Sequence, residues 1–550
     1  MLEISNITLS PKKIDADPSK ELDFLYQACA KELSLSACNI KQIEVKRRSI
    51  DARKRDRVVF IYTLLVTLSE NISEEALLTK FSNKKNIRQA EIIDVNFSEP
   101  TLCPLANRPV VVGAGCAGLF AALELAHAGY KPLLIERGQS AFKRQETIDA
   151  FNKTGILNTE SNIQFGVGGA GTFSDGKLNT GTKSKTHRLI LETFVKAGAS
   201  SSILWEAKPH IGSDVLPHVV EYICKEITRL GGEVKTNCRL LELSIENNAI
   251  TGALCEINDE TPGQPRKEFI ATNNIILATG HSARDVYEML YEKEVPLERK
   301  TFAMGVRIEH LQSSINKSQY GKKFANSPAL GAAPYKLVAH LKNGRSAFSF
   351  CMCPGGYVVA ATSEENQVVT NGMSYEARAG KNANSGLLVN VLPEDLPGTS
   401  PLAGIEFQRT YERLAFEVGG GNYRAPAQLV GDFLNDEAST GPKSVKPTYP
   451  CGVSWGKVSD CLPEYISETL RAAIPEMEKR LHGFAAEDAV LTAIESRSSS
   501  PVRITRNKEC RSEIDGLWPS GEGAGYAGGI MSAANDGIRV ARALVDYHSN

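Results

Sequence analysis

The sequence predicts an α/β chain in three units: a Rossmann-like domain, a mixed α+β domain inserted into it, and a ferredoxin-like α+β domain at the amino terminus. Three observations lead to this fold class. An apolar strand runs into a glycine-rich turn and a helix near residue 113, and α/β character returns at the carboxy end after a long middle portion. Residues 1–98 separately follow a strand-helix-strand-strand-helix-strand order.

The size of the chain agrees with several units. Its 550 residues exceed what one hydrophobic core organises, and 42% hydrophobic with 23% charged residues is ordinary globular composition. We assign residues 1–98 to the ferredoxin-like unit, 105–285 and 490–550 to the Rossmann-like domain, and 286–489 to the inserted domain.

The elements of the first unit follow from hydrophobic periodicity and capping residues. Residues 100–109 are expected to be a linker. The expected elements are strands at 4–9, 43–47, 58–68 and 91–97 and helices at 20–32 and 74–81.

Net charge argues against a polyanionic partner. Lys plus Arg number 63 and Asp plus Glu 64, so no global field attracts nucleic acid. The segment 46–57 is strongly basic, which leaves RNA contact open as an alternative. Because Asp51 and Asp56 interrupt it and no aromatic residue lies in it, we interpret it as a solvated hairpin loop.

Several other classes are disfavoured. The amino terminus lacks the basic and apolar regions of a secretion signal, which predicts a cytoplasmic protein. The apolar run 58–68 is far shorter than the ~20 residues of a membrane-spanning helix, so no membrane contact is expected. Twelve cysteines without a Cys-x-x-Cys pair and nine scattered histidines predict no metal site.

The glycine-rich turn carries the most specific chemical signal. Gly113 permits the tight turn, Gly115 lets the backbone approach a pyrophosphate, and Gly118 lets the helix pack on the strand. Cys116 and Ala117 lie between them, where the opening amides and the dipole of the helix face the phosphates.

The next strand supplies the partner of the ribose. It ends in Glu136, followed by Arg137, at the position where an acid accepts hydrogen bonds from the adenosine ribose. An adenine dinucleotide with a free 2′-hydroxyl is therefore predicted. The same glycine spacing recurs at 166–171 and 523–528, but neither copy has the strand before it and the helix after it, so neither is an independent dinucleotide site.

Segments further along the chain distinguish FAD from NAD. Residues 274–280, 230–241 and 516–523 resemble, in this order, the strand-turn, the adenine-side strand and the ribityl-binding strand end of glutathione-reductase-type flavoproteins. The helix opened by residues 528–531 would place its amides near the flavin pyrimidine. The resemblance implies FAD and assigns to it Leu240, Thr279, Gly280, Gly521, Glu522, Gly529 and Ile530.

A closer resemblance is carried by segments 162–178, 278–285, 350–356 and 498–504. They are similar to a bacterial family of FAD-dependent dehydrogenases whose substrate is unassigned. In the first segment, Gly168, Gly169 and Gly171 would let the backbone lie against the flavin, and Lys177 would place a cation near the ring or the pyrophosphate. The alternative is a surface loop with a solvated lysine.

The inserted domain is expected to cover the flavin. Strands at 302–309 and 348–362 would belong to its sheet. Arg307, Tyr335, Tyr423 and Arg503 are candidate substrate contacts, each with a structural interpretation as the alternative.

One cysteine pair also lies in this domain. We expect Cys351 and Cys353 to be small buried packing residues. A reactive pair is the alternative, but Cα atoms two apart on a regular strand are about 6.5 Å apart, so a bridge would need a turn or strain.

The sequence therefore predicts an FAD-dependent oxidoreductase that transfers a hydride between flavin and an unidentified small molecule. Its catalytic residues are not identified, its oligomeric state is not set, and NADH or NADPH stays open as electron donor. An RNA-bound flavoprotein and a structural or sensor flavoprotein are the alternatives.

Overall fold

The computed structural model describes residues 1–91, 95–100, 105–181, 183–258 and 265–549. The first unit is an antiparallel sheet in the order β2-β3-β1-β4 with helices in its connections. Its elements are β1 (Leu2–Leu9), α1 (Pro11–Ala16), α2 (Glu21–Leu33), β2 (Ile40–Asp51), β3 (Val59–Leu68), α3 (Glu74–Lys80) and β4 (Ile87–Gln89).

Two expectations for this unit differ from the structure. The last strand is β4, because Ile87 is buried where it pairs with β1. The strand expected at 91–97 falls partly on residues 92–94, which lie outside the described residues, as do residues 101–104 of the expected linker.

The basic segment 46–57 is not simply a hairpin loop. Strand β2 continues to Asp51, so half of the segment is paired with β3. Lys46 donates to Glu3 at 2.7 Å, and Arg53 pairs with Asp51 at 2.7 Å. These cations are therefore partly neutralised by carboxylates of their own unit.

The next part of the chain builds a parallel sheet and an antiparallel one. Its elements are β5 (Val110–Val112), α4 (Cys116–His127), β6 (Leu133–Ile135), α5 (Ala141–Thr154), α6 (Thr186–Lys196), α7 (Leu216–Arg229), β7 (Glu233–Lys235), β8 (Cys238–Glu246), β9 (Ala249–Ile257), β10 (Arg266–Ala271), β11 (Ile275–Leu277) and α8 (Arg284–Glu292).

The remainder forms the inserted sheet and then returns to the parallel one. Its elements are β12 (Leu297–Arg299), β13 (Phe302–Leu311), α9 (Gln312–Tyr320), β14 (Val338–His340), β15 (Ser346–Cys353), β16 (Tyr357–Ala360), β17 (Thr370–Met373), β18 (Asn382–Val391), α10 (Ala403–Val418), β19 (Ala425–Leu429), α11 (Val430–Leu434), β20 (Val453–Trp455), α12 (Glu464–Glu478), β21 (Val490–Glu495), β22 (Val502–Ile504), β23 (Leu517–Pro519) and α13 (Ile530–Ser549).

The parallel sheet has the order β23-β11-β5-β6-β7. Its central strands are buried and wholly apolar because both faces are covered, one by helices that include α4 and α13 and the other by the antiparallel β8–β10 sheet and α8. Helix α13 crosses α4 closely, because a Cβ on Gly537 would lie 2.1 Å from the Ala117 carbonyl oxygen. The carboxy-terminal segment thus completes the domain begun at β5, and the carboxyl ends of its strands share one edge.

The inserted domain contains a seven-stranded sheet in the order β14-β15-β18-β13-β21-β19-β20. Strand β21 pairs with β13 and β19. The sequence assigned residues from 490 onward to the Rossmann-like domain, whereas this pairing puts 490–495 in the inserted sheet. A strand buried on both faces has the same apolar sequence pattern in either sheet, so only its pairing shows which of the two sheets it belongs to.

No helix in the described part of the chain combines the length and the apolarity that crossing a bilayer requires.

Candidate functional site

A cavity of about 370 Å³ opens at the carboxyl edge of the parallel sheet and extends beneath the inserted sheet. All residues assigned to the cofactor from the sequence line it except Gly118 and Gly521. Those that line it are Gly113, Gly115, Cys116, Ala117, Glu136, Arg137, Gly168, Gly169, Gly171, Lys177, Leu240, Thr279, Gly280, Glu522, Gly529 and Ile530.

The three glycines of the first turn serve different purposes. Gly113 has φ +98°, and a Cβ on Gly118 would lie 1.8 Å from the Gly113 carbonyl oxygen, so neither position accepts a side chain. At Gly115 the nearest atom to a Cβ would be the Gly169 Cα at 3.8 Å. The protein itself therefore leaves room at Gly115, and the open space belongs to the cavity.

Other glycines also leave the cavity wall bare. A Cβ on Gly280, Gly528 or Gly529 would meet nothing within 4 Å. Gly521 instead packs on the helix behind the wall, because its Cβ would lie 2.7 Å from that of Ala117.

Glu136 is buried beside the first glycine turn and organises the backbone around it. Its carboxylate accepts from the amides of Ala114 at 2.8 Å, Gly138 at 3.0 Å and Gly166 at 2.8 Å. The carboxylate thereby ties the glycine turn to the second glycine loop, and it still lines the cavity.

Arg137 is held in an ionic cluster beside the cavity. It donates to Glu160 at 2.8 Å and to Asp285 at 2.9 Å, and its guanidinium lies 4.2 Å from the ring centroid of Phe165. Burial opposes the charge, but the two carboxylates raise the pKa of Arg137 above its ordinary value.

The second glycine loop, residues 166–171, is fixed by a buried arginine that no sequence motif indicated. Arg144 donates to the carbonyl oxygens of Asn162 and Ile163 at 2.7 Å and of Gly169 at 2.9 Å. Burial lowers its pKa to about 9. The loop is joined to the first turn where the Gly168 amide donates to the Ala114 carbonyl at 2.7 Å.

Two titratable groups face each other in the middle of the cavity wall. His281 Nε2 lies 3.8 Å from Glu522 Oε1. Burial, together with Arg497, Arg284 and Lys300, lowers the pKa of His281 to about 3. Burial raises the pKa of Glu522 to about 7, although Lys300 opposes the rise. The imidazole is therefore neutral near pH 7, whereas the carboxyl exchanges its proton there.

The far end of the cavity is lined by residues from the inserted domain and from the segment that directly follows β21. They are Phe350, Cys351, Asn371, Arg497 and Ser498. Three of them lie in segments that resemble the dehydrogenase family, but the sequence predicted no contact with cofactor or substrate for any of the five. Their distance along the chain from the glycine motifs left no local pattern that would have joined them to the site.

Arg497 is positioned by a buried charge network. It donates to Glu412 at 2.8 Å, and Arg284 donates to the same carboxylate at 2.8 Å. Burial would raise the pKa of Glu412, but the two guanidinium groups outweigh it and lower the pKa below its ordinary value. Glu364 lies between Arg284 and Arg409 and extends the network to the surface of α10.

The four candidate substrate contacts do not line the cavity. Arg307 is buried and fully engaged with Glu495, Asn371, Asn384 and a backbone carbonyl. The contacts of all four residues favour their structural interpretation. The other three are Tyr335, which is buried, Tyr423, which packs against Phe151 and Phe416, and Arg503, which lies over Tyr526.

Lys177 and the cysteine pair meet at the far end. Lys177 Nζ lies 2.9 Å from Asp175 Oδ2. Burial works against the ammonium charge, but Cys353, Cys351 and Asp175 raise the pKa of Lys177. Cys353 is buried as expected, whereas Cys351 is half-buried and lines the cavity.

Within the described residues, no group of three or more His, Cys, Asp and Glu side chains is arranged to hold a metal ion.

Three family models match parts of the chain. Residues 108–154 match an FAD binding domain, and residues 301–498 match a domain described as "FAD-dependent protein, C-terminal domain-like". Residues 1–67 match a domain of unknown function. The first two matches cover the glycine turn and the inserted sheet, and they support FAD as the cofactor.

A full-length relative comes from Clostridium beijerinckii. This uncharacterized protein is 46% identical over 551 residues, which is 99% of this chain and 98% of the relative. Among solved structures, the flavin-dependent brominase Bmp2 is 12% identical over 81% of this chain and 80% of its own, with a TM-score of 0.36. An L-proline dehydrogenase from P. horikoshii is 13% identical over 81% and 94%, with a TM-score of 0.30.

Proposed function

This chain belongs to the same family as the Clostridium beijerinckii protein, and we propose that it binds FAD non-covalently and acts as an oxidoreductase on a small molecule. The observation that carries the proposal is the glycine-lined cavity at the carboxyl edge of the parallel sheet. Such an edge is where open α/β sheets bind their ligands.

The wall of the cavity suits the parts of FAD in order. The amides of Cys116 and Ala117 at the start of α4 would hold the pyrophosphate, and Glu136 would accept from the adenosine ribose with the lone pairs its backbone contacts leave free. Glu522 would accept from the ribityl chain. The amides at the start of α13 would face the flavin pyrimidine.

Bound FAD supplies a two-electron centre that accepts or donates a hydride. The chain's own residues would exclude water from it, because the inserted sheet covers the far end with Phe350 and the network around Arg497. Glu522 is the group able to hold or release a proton near neutral pH, while His281 stays neutral beside it.

We further propose the glutathione-reductase type for the domain that spans 105–285 and the carboxy-terminal segment, and the ferredoxin-like class for residues 1–98. The proposal for the first unit rests on the sheet order β2-β3-β1-β4 with two helical crossovers. The inserted domain would extend from 286 through β21 rather than end at 489.

The test begins with the cofactor itself. We expect the purified protein to be yellow and to release unmodified FAD on denaturation, identified by chromatography and mass spectrometry. Release of FMN or of a nicotinamide nucleotide would contradict the proposal.

The reaction class is tested by anaerobic stopped-flow mixing with NADH, NADPH and candidate reduced substrates, while flavin bleaching is followed. We expect at least one donor to reduce the flavin at a catalytically useful rate. FAD that no donor reduces would favour a structural or sensor flavoprotein. The basic segment provides no observation that favours RNA, because Lys46 and Arg53 are paired with carboxylates.

A further inference from the structure

We propose that Cys351 and Cys353 form a reversible dithiol–disulfide pair in the wall of the cavity, which stores two electrons beside the flavin. The electron acceptor in this proposal is the FAD of the proposed function, so this part rests on that function. The thiol chemistry itself belongs to the chain and is measurable without it.

The backbone departs from a regular strand at this pair. Cys351 has φ +41°, in the left-handed region that residues with a side chain rarely adopt. The register of β15 against β18 shifts between Phe350 and Cys353. This is the turn that a Cys-x-Cys bridge was expected to need, and such outliers occur where a side chain is directed to a functional site.

The departure brings the two cysteines together. Cys353 Sγ donates to the Cys351 carbonyl oxygen at 3.2 Å, so the buried thiol lies against the backbone of its partner. The surroundings hold the backbone in this shape. Arg307 Nη1 donates to the Cys351 carbonyl at 2.9 Å, and a Cβ on Gly356 would lie 2.9 Å from the Cys353 Cβ.

The charges around the pair favour a thiolate at Cys351, the cysteine that lines the cavity. The neighbouring Cys353 thiol lowers the pKa of Cys351, burial opposes this, and Lys177 and Arg307 lower it further. Burial and the neighbouring thiol raise the pKa of Cys353. The charged groups that face the pair are Lys177, Asp175, Arg307, Glu495 and Glu522.

The two sulfurs therefore have different roles. Cys351 is half-buried and lines the cavity, so its thiolate is the group that meets a reactant. Cys353 is buried behind it and provides the second thiol.

Oxidation of the pair converts the thiolate and the thiol into one disulfide. The Cys351 thiolate and the Cys353 thiol form one Sγ–Sγ bond, the S–H bond of Cys353 breaks, and two electrons and one proton are released. Bound FAD would supply the two-electron acceptor for both electrons and the proton. The reverse step breaks the disulfide and restores the thiolate and the thiol.

The first experiment measures the bond in the holoenzyme by mass spectrometry after equilibration in thiol–disulfide buffers. Residues 346–378 form one tryptic peptide, because no Lys or Arg lies between Arg345 and Arg378. We expect this peptide to lose two hydrogen masses reversibly on oxidation. Cys238 and Cys255 form a second neighbouring pair on the paired strands β8 and β9, but they lie on separate tryptic peptides, so the two pairs are distinguished.

The second experiment measures the pH dependence of iodoacetamide alkylation at Cys351, with the exposed Cys38 as internal reference. We expect the Cys351 rate to reach its plateau below pH 7. Lys177→Met should move the midpoint upward by about one pH unit or more, whereas the exposed Lys153→Met should not.

Electron counting connects the pair to the flavin. An anaerobic reductive titration should consume about four electrons per FAD in the oxidised protein and about two in Cys353→Ser. Absence of the peptide's mass change in every buffer would overturn the proposal, as would a Cys351 rate that rises only at alkaline pH. A protein that contains no FAD but forms the disulfide would contradict the proposed function and leave the pair established.

Discussion

The two ends of the cavity are built in different ways. The end beside the first glycine turn is built mostly of backbone, with glycines and helix amides from the stretch between β5 and β6 and the carboxylate of Glu136 just after β6. The far end is made of side chains, which come from positions as distant as 177, 351 and 497. The first end needs only correct local geometry, whereas the second depends on how the inserted sheet packs against the parallel one.

This difference teaches where specificity resides. An end built from backbone amides and glycines recognises a phosphate group common to many ligands. An end built from the side chains of Lys177, Cys351, Asn371 and Arg497 takes its chemistry from those particular residues, so we expect this end to select the reaction. Four changes break or sharpen the comparison.

The largest effect is expected for the network behind the far end. Glu412→Gln leaves Arg284 and Arg497 buried without their shared carboxylate, and loss of one partner of a buried ion pair costs about 3–5 kcal/mol. Chemical denaturation should show this drop in the free energy of unfolding, with the exposed Glu365→Gln as control. Equal stability of the two variants would show that the network does not position Arg497.

A substitution in the glycine turn should separate cofactor binding from folding. Gly115 has φ −75°, so Gly115→Val is tolerated by the backbone but fills the cavity, and FAD affinity should fall at least about 100-fold, or ~3 kcal/mol. Gly118→Ala places its Cβ against the Gly113 carbonyl and should destabilise the domain itself. Fluorescence titration with FAD and circular dichroism distinguish the two. Normal FAD binding by Gly115→Val would show that the pyrophosphate does not lie against Gly115.

The raised pKa of Glu522 should appear as a pH-dependent stability. Its pKa in the folded protein, about 7, exceeds the ordinary 4.5. The stability that the protonated carboxyl contributes is therefore complete below pH 4.5 and is lost as the pH rises through 7. In flavin-depleted protein, the free energy of unfolding of Glu522→Gln should therefore rise relative to that of the wild type as the pH rises, by up to ~1.4 kcal/mol per pH unit. Thermal unfolding at a series of pH values measures this difference. Stability curves of the wild type and Glu522→Gln that run parallel with pH would refute this. The exposed Glu513→Gln is the control, and its curve should run parallel to that of the wild type.

The smallest effect is expected from removing the first unit. The cavity wall begins at Val112, so a truncation that starts at residue 105 should bind FAD within about threefold of the full chain, or ~0.6 kcal/mol. The first unit docks outside the cavity, where Arg48 Nε donates to Glu206 at 2.8 Å and its guanidinium lies 4.6 Å from the Trp205 ring. A folded truncation without FAD would show that this docking shapes the site.

Local patterns determined much of this molecule. The strand that ends before Gly113, the helix after Gly115 and the acid at Glu136 are close in sequence, and their chemistry follows from backbone conformation and spacing alone. The first unit was predictable for the same reason, because the alternation of buried residues in β3 is written into consecutive positions. Its last strand was misplaced, because one short run of three residues carries little periodicity.

The far end could not be predicted from local pattern. Arg307 carries the charge and length of a substrate contact, yet only the tertiary structure shows that Glu495 and Asn371 engage it. Cys351 was expected to be a packing residue on a regular strand, and the register shift after Phe350 turns it toward the cavity.

The sequence by itself therefore determined the glycine turn and the helix after it, because adjacent residues set backbone geometry there, and its resemblance to flavoproteins predicted FAD. The tertiary structure decided the partners of Lys177, Cys351 and Arg497, because burial and long-range pairing fix which charges meet and how strongly they shift one another.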